Sequence, residues 1–234
     1  MLKPELTILS TKTLSEAIIS QAAIHNIKVL CVPMISTTAF VDEEKATIIK
    51  DLSTRRLSIA ITSSNALKAI LPYLAGDCNW NIYTIGSKTE QLVRQTIPSG
   101  KLSASAMYGT ELAKKIIANG DKEVYFFCGN MRSDALPKML TQHGVLCREV
   151  KVYTTTLHPV TVNENYQAVL FFSPSGVESY FSANGIQENT VVFTIGNTTA
   201  EAVRKHCQNT IVVPRSTSTE ELFKQVLKYY QVRI

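Results

Sequence analysis

No run of apolar residues in this chain reaches the ~20 that a membrane-crossing helix needs. The opening "MLKPELTILS" is no signal peptide, because its apolar stretch is short and is broken by Pro4 and Glu5. No membrane partner is expected, and the location reads as cytoplasmic. There is no CxxC pair, and the five cysteines are scattered. Cys31, Cys128 and Cys147 lie in or beside apolar runs, as small buried hydrophobes of a reducing compartment do. The four histidines do not cluster, so no metal-ligand spacing exists. His143 and His206 fall near the ends of helical patterns, where a basic residue suits the helix dipole. No Walker loop, GxGxxG or GxSxG occurs, and no Cys–His pairing or carboxylate pair stands out. Nothing here calls for a nucleotide, a metal or an organic cofactor. Lys and Arg total 24 against 19 Asp and Glu, a net charge of +5, with no basic run interleaved with aromatics. That excludes a strong nucleic-acid footprint and is compatible with a small acidic ligand.

What is present is a repeat. "TIGSKTEQLVR" (84–94) returns as "TIGNTTAEAVR" (194–204), an offset of 110 residues. The same offset lays "IAITSSNALKAI" (59–70) on "VLFFSPSGVESY" (169–180), and Glu111-Leu112 on Glu221-Leu222. Three motifs sharing one offset without a gap indicate a duplicated domain, longer than any solenoid unit. The first copy continues through "EVYFFCGNMRSDALPKMLTQHGVLCREVKVY" (123–153) as strand, helix, strand. The second ends before that part, but "LTILSTKTLSEAIISQAAIHNIKVLCVPMI" (6–35) supplies the same pattern and shares "VLC". The economical arrangement is permuted. Residues 1–35 join 160–234 in one domain, and 42–150 form a second domain inserted into it. Residues 36–41 and 151–159 are then the interdomain linkers.

Short, continuously apolar runs alternate with helical patterns. Strands are expected at "LTIL", "VLCVP", "LSIAIT", "NIYTI", "EVYFF", "AVLFF", "VVFTI" and "TIVVP". Runs apolar at every position suit strands buried on both faces, hence parallel sheets. The expected fold is α/β: two flavodoxin-like, doubly wound parallel-sheet domains. The segments "MISTTAF" (34–40) and "REVKVYTTTL" (148–157) are rich in β-branched residues, so a two-stranded extended linker is expected, able to act as a hinge.

In such sheets ligands bind beyond the carboxyl ends of the strands. The turns there hold Ser63-Ser64-Asn65, Gly86-Ser87 with Thr89, Ser173 with Ser175-Gly176, and Gly196 with Thr198-Thr199. Hydroxyls and amides at these points cap helices, glycine admits close approach, and helix-start N–H groups bind carboxylate or phosphate. Helix caps alone explain any one turn. Four in matched positions favour an anion-binding cleft, with Thr199 facing the ligand. Gly129 and Arg132 in "CGNMRS" add a guanidinium suited to a carboxylate, or a solvated loop residue. Tyr153 in "KVYTT" is either a proton donor to a leaving group or a packing residue. The residues alone thus lead to a two-domain α/β protein that clamps a small acidic molecule.

The pieces "ITSSNAL", "TIGSKTEQLV", "GNMRSDALPKML", "VKVYTT", "FFSPSGVESY", "TIGNTTAEAV" and "STSTEELFKQVL" carry a further likeness. In this order and permuted layout the chain resembles the uroporphyrinogen-III synthases over nearly its whole length. The resemblance implies a lyase of haem biosynthesis that takes hydroxymethylbilane, a linear tetrapyrrole with eight carboxylates. It implies closure to uroporphyrinogen III with inversion of ring D, through an azafulvene and a spiro pyrrolenine, without metal or organic cofactor. It also implies binding largely through main-chain N–H groups. Tyr153 matches the family's "VY" tyrosine, the candidate to assist hydroxyl departure. Thr199, with Thr198 beside it, matches the family's "IGxTTA" threonine, and Ser173 and Ser175 match its "SPSG" turn. Asn65 and Lys88 depart from the family pattern. The bilane cyclises unaided to the uninverted isomer, so holding its conformation matters more than acid–base groups do. A monomer is expected. The rival from another class is a non-enzymatic two-lobed α/β module that binds a small polycarboxylate metabolite.

Overall fold

The computed structural model describes residues 6–231, of Ser87 the backbone alone. Elements run in the order β1 (Leu6–Ser10), α1 (Glu16–Ile24), β2 (Ile27–Cys31), β3 (Ile35–Ala39), α2 (Glu43–Ser53), β4 (Ser58–Ile61) and α3 (Ser64–Ile70). There follow β5 (Asn81–Ile85), α4 (Ser87–Thr96), β6 (Lys101–Ala106), α5 (Gly109–Ala118), β7 (Glu123–Gly129), α6 (Ala135–Gln142) and β8 (Leu146–Leu157). The last are β9 (Ala168–Phe171), α7 (Pro174–Phe181), β10 (Val191–Thr194), α8 (Asn197–Arg204), β11 (Ile211–Val212) and α9 (Thr219–Tyr229). The chain divides into two compact units. Unit 1 takes the described residues up to Ser36 and from Thr156 onward, and unit 2 is Thr37–Thr155.

Unit 1 is a five-stranded sheet in the order β11-β10-β9-β1-β2, with every pairing parallel. Its central strands "AVLF" and "VVFT" are buried at every position, because helices cover both faces. Ile8, Leu170 and Phe193 point to α1 and α9, where they meet Ile18, Leu222 and Val226. Leu9, Val169, Phe171 and Val192 point to α7 and α8, against Val177, Tyr180 and Val203. The period-2 alternation of a strand thus feeds two separate cores.

Unit 2 repeats the plan. Strands β8-β7-β4-β5-β6 are parallel neighbours. Ile59, Ile61 and Phe127 face α2, α3 and α4, whereas Ala60, Tyr83 and Phe126 face α5 and α6. Both units have the flavodoxin order once β7 and β8 are set on β1 and β2. The elements β4, α3, β5, α4, β6 and α5 begin 110 residues before β9, α7, β10, α8, β11 and α9. β3 lies on the outer side of β8. Phe40 N–H donates to Val152 O and His158 N–H to Met34 O, both at 2.8 Å, so partner numbers fall as the chain rises and the pair is antiparallel.

One strand differs from the sequence reading. β6, "KLSASA", was not among the expected strands. It is an edge strand, and its small, half-polar residues need not be apolar on both faces. α2 is capped by Asp42, which accepts from Lys45 N–H at 2.9 Å. The segments expected to be extended, 34–40 and 148–157, hold β3 and most of β8, which pairs with β7 along its first part and with β3 along its last.

Candidate active site

The strand-to-helix turns of each unit gather at the carboxyl edge of its own sheet. In unit 1, β9 runs into Ser173, which caps α7. Its hydroxyl accepts from Gly176 N–H at 3.1 Å and meets the Ser175 hydroxyl at 3.0 Å. A Cβ on Gly176 would lie 3.3 Å from that hydroxyl, so the cap holds this position small. β10 runs into Gly196, which opens α8 with no side-chain cap. Thr198 is exposed there, whereas Thr199 is only 3% exposed. This corrects the expected outward Thr199: the first turn of α8 rotates it onto the core, and Thr198 is the open member of the pair.

In unit 2, Ser63 caps α3 by accepting from Asn65 N–H at 3.1 Å, with Ser64 and Asn65 half-buried in the first turn. Gly86 opens α4 at φ 75°, left-handed backbone that favours glycine, and again no side chain caps the helix. Ser87 begins α4. Thr89 is buried like its repeat mate Thr199. The two copies therefore share one scheme. α3 and α7 have serine caps, while α4 and α8 begin at glycine without a side-chain cap, and helix starts of this kind attract anions. Just before those glycines, Thr84 and Thr194 are fully buried, and neither hydroxyl has a partner among the described residues.

Tyr153 is set by a β-bulge. Cys128 pairs with Lys151 but Gly129 pairs with Tyr153, so Val152 is the extra residue. The bulge breaks the alternation of β8, and Val152 and Tyr153 both pack on the α2–α3–α4 core. A Cβ at Gly129 would lie 2.5 Å from Cε2 and Cζ of the Tyr153 ring. The phenol ring thus lies against a position where any side chain would make it shift. Beyond Gly129, Asn130 and Thr155 clasp each other: Thr155 N–H donates to Asn130 Oδ1 at 2.7 Å, and Asn130 Nδ2 to Thr155 O at 3.1 Å.

Arg132 is placed otherwise than expected. Its Nε and Nη2 donate to the two oxygens of Glu149, each at 2.6 Å, and Nη1 pairs with Asp134. Those carboxylates, Glu149 first, raise its pKa above the usual guanidinium value. The fork that would seat a ligand carboxylate is filled by the protein's own acids.

The thiols of Cys128 and Cys147 are each pushed up to about 11 by burial, so neither is a ready nucleophile. Among the described residues no cluster of His, Cys, Asp or Glu suits a metal ion, and no helix is long and apolar enough to cross a membrane.

These two glycine-opened helix starts, with a tyrosine on a bulge, stand in a chain that the profile of uroporphyrinogen-III synthase HemD matches over residues 16–224. The chain belongs to the uroporphyrinogen-III synthase family. Its members are lyases of tetrapyrrole biosynthesis. Solved structures agree on the fold. Uroporphyrinogen-III synthetase from Helicobacter pylori aligns at TM-score 0.62 and 18% identity, over 96% of this chain and 99% of that one. A mutant synthase from the thermophilic bacterium Thermus thermophilus aligns at 0.68 and 15% identity, over 97% and 98%. The wild-type Thermus thermophilus enzyme aligns at 0.54 and 15% identity, over 97% of each chain.

Proposed function

We propose that this chain closes hydroxymethylbilane to uroporphyrinogen III with inversion of ring D. The observation that carries the reading is the family match over residues 16–224. The two lobes are 1–35 with 160–234 and 42–150, and each carries its anion-binding turns at the carboxyl edge of its own sheet. The first-turn amides of α4 and α8, opened by Gly86 and Gly196, take carboxylates. The turns Ser63–Asn65 and Ser173–Gly176 do the same in their own units, with the exposed Thr198 bordering the start of α8. Gly129 seats Tyr153, whose phenol hydrogen-bonds the departing hydroxyl as the C–O bond breaks. The azafulvene so formed is attacked by the substituted carbon of ring D, and the spiro intermediate fragments and recloses. The protein's main task is to hold the bilane so that this closure outruns the simple one. No cofactor takes part, and the enzyme works as a cytoplasmic monomer. Freshly prepared hydroxymethylbilane, with product isomers resolved by chromatography after oxidation, tests the reading. Isomer III is expected, and isomer I alone, at the uncatalysed rate, would overturn it.

A further inference from the structure

We infer that Asn130 is a positioning residue of unit 2, whose side-chain amide holds β8 so that the Tyr153 ring stays seated on Gly129. The inference rests on the proposed role of the Tyr153 phenol and adds the residue that fixes where that phenol stands.

The backbone sets the need. β7 ends at Gly129 and the chain turns toward α6, but β8 runs on to Leu157. Gly129 with Tyr153 is the last pair of the β7–β8 ladder. Thr155, two residues further along β8, therefore lies past the last β7 residue that could meet it. Thr155 is only 9% exposed, and buried backbone groups need partners. The Asn130 side chain supplies them: Oδ1 accepts from Thr155 N–H at 2.7 Å, and Nδ2 donates to Thr155 O at 3.1 Å. A carboxamide offers acceptor and donor side by side, so it stands in for the missing peptide group of β7. The ladder is carried one step beyond the strand that made it.

Two consecutive residues thus act on one ring. Gly129 gives the ring room, since a Cβ there would lie 2.5 Å from Cε2 and Cζ. Asn130 grips the strand just after the ring. The same turn also reaches β8 before the ring, where Arg132 Nε and Nη2 donate to Glu149 at 2.6 Å each. β8 is therefore tied to the β7–α6 turn at 149 and at 155, with the bulge at Val152 between the ties. A bulge leaves one residue unpaired and is the point where a ladder can slip. A slip of one residue would turn the phenol to the other face of the sheet. Of the two ties, the Asn130 clasp is nearer to Tyr153 and holds backbone, so it fixes the chain itself. A clasp that merely finished a ladder would matter to stability and not to the phenol. Unit 1 has a comparable clasp remote from any tyrosine of the reaction: Asn184 Oδ1 accepts from Val162 N–H and Nδ2 donates to Val160 O, both at 2.8 Å.

Asn130→Ala removes both bonds, and Asn184→Ala is the control. Two readouts are needed. One is kcat and KM with hydroxymethylbilane, in the wild-type and Tyr153→Phe backgrounds. The other is the proton–carbon NMR spectrum of protein carrying ring-labelled tyrosine, in which the Tyr153 resonance is the one that Tyr153→Phe removes. Asn130→Ala should lower kcat about tenfold with KM held, and should move the Tyr153 resonance. In the Tyr153→Phe background it should lower kcat no further, while lowering the melting temperature equally in both backgrounds. Asn184→Ala should lower the melting temperature and leave kcat and the Tyr153 resonance as in wild type. Asn130→Asp has the same shape but turns an oxygen on Thr155 O. It should act in the same direction as Asn130→Ala, and it replaces that variant if alanine prevents folding. An unmoved Tyr153 resonance, a kcat loss as large in the Tyr153→Phe background, or an equal kcat loss in Asn184→Ala overturns the inference. A wild type that makes no isomer III, or a Tyr153→Phe variant at wild-type kcat, overturns the proposed reaction or the phenol's part in it. A Tyr153 resonance that still moves in Asn130→Ala then leaves the seat standing.

Discussion

Replacing Gly129 with alanine tests the seat of Tyr153 through a residue with no chemistry of its own. The added Cβ would lie 2.5 Å from Cε2 and Cζ of the ring. Ordinary carbon contacts are ~3.5–4.0 Å, so ring and backbone must part by about 1 Å. The ring cannot sink further, because Ile49, Ile61, Trp80 and Phe127 of the core it packs on are fully buried. Overpacking of this kind costs about 1–3 kcal/mol. A reacting group misplaced by about 1 Å costs on the order of 10²-fold in rate. Gly129→Ala should therefore lower kcat by roughly 10–10²-fold with KM little changed. Tyr153→Phe removes only the hydroxyl and should cost about 10²-fold or less, the low end for general-acid help. The double variant decides the matter. If glycine acts by seating the phenol, alanine has nothing left to spoil once the hydroxyl is gone, and the double variant matches Tyr153→Phe. The assay is the initial rate of isomer III formation, with thermal melts on every variant. Wild-type kcat in Gly129→Ala, or a double variant as slow as the product of the two single losses, would refute the reasoning.

Ser173→Ala and Ser175→Ala should each raise KM by at most about tenfold, since one neutral hydrogen bond is worth ~0.5–1.5 kcal/mol. Only Ser173→Ala should also lower the melting temperature, because it alone caps α7, at a cost of about 1 kcal/mol; abolished turnover in a folded Ser175→Ala would instead mark a side-chain active site. Thr84→Val and Thr194→Val remove buried hydroxyls that lack partners among the described residues, so each should stabilise by roughly 1 kcal/mol in denaturant titrations. A loss in either would mean that its hydroxyl is bonded. Burial, then the Tyr229 charge, pushes the Tyr230 phenol from 10.0 up to about 12. The fold prefers the neutral phenol, so the stability it lends is whole below pH 10.0 and fades as pH rises through about 12. Tyr230→Phe should show a smaller loss of denaturant midpoint between about pH 9 and about pH 11, and an unchanged loss would count against this.

The fold was legible wherever burial on both faces left a continuous apolar run. "AVLF" and "VVFT" have no exposed position, and they read as parallel strands at once. "KLSASA" did not, although its repeat mate near Ile211 was expected. At the sheet edge a strand is held by backbone bonds to one neighbour, and its side chains need not advertise it. The offset of 110 carried the missing information, because it lays β6 on β11. Periodicity within a window is a local signal, whereas the repeat is a global one that survives where local apolarity fails.

The site was legible to the extent that its parts are backbone. Glycine at a helix start after an apolar run is visible in sequence, and Gly86 and Gly196 both stand at uncapped starts. Side chains were harder, because what surrounds them is distant in the chain. Arg132 reads as a ligand for carboxylate until Glu149, 17 residues on, is seen to fill its fork. The bulge that aims Tyr153 leaves no mark in "VKVYTT", since one surplus residue shows only against the partner strand. Yet Gly129 does show, and a glycine closing an otherwise bulky strand says that something lies against it. The productive order of inference is therefore from repeat to topology, and from topology to the residues at the carboxyl edge of each sheet.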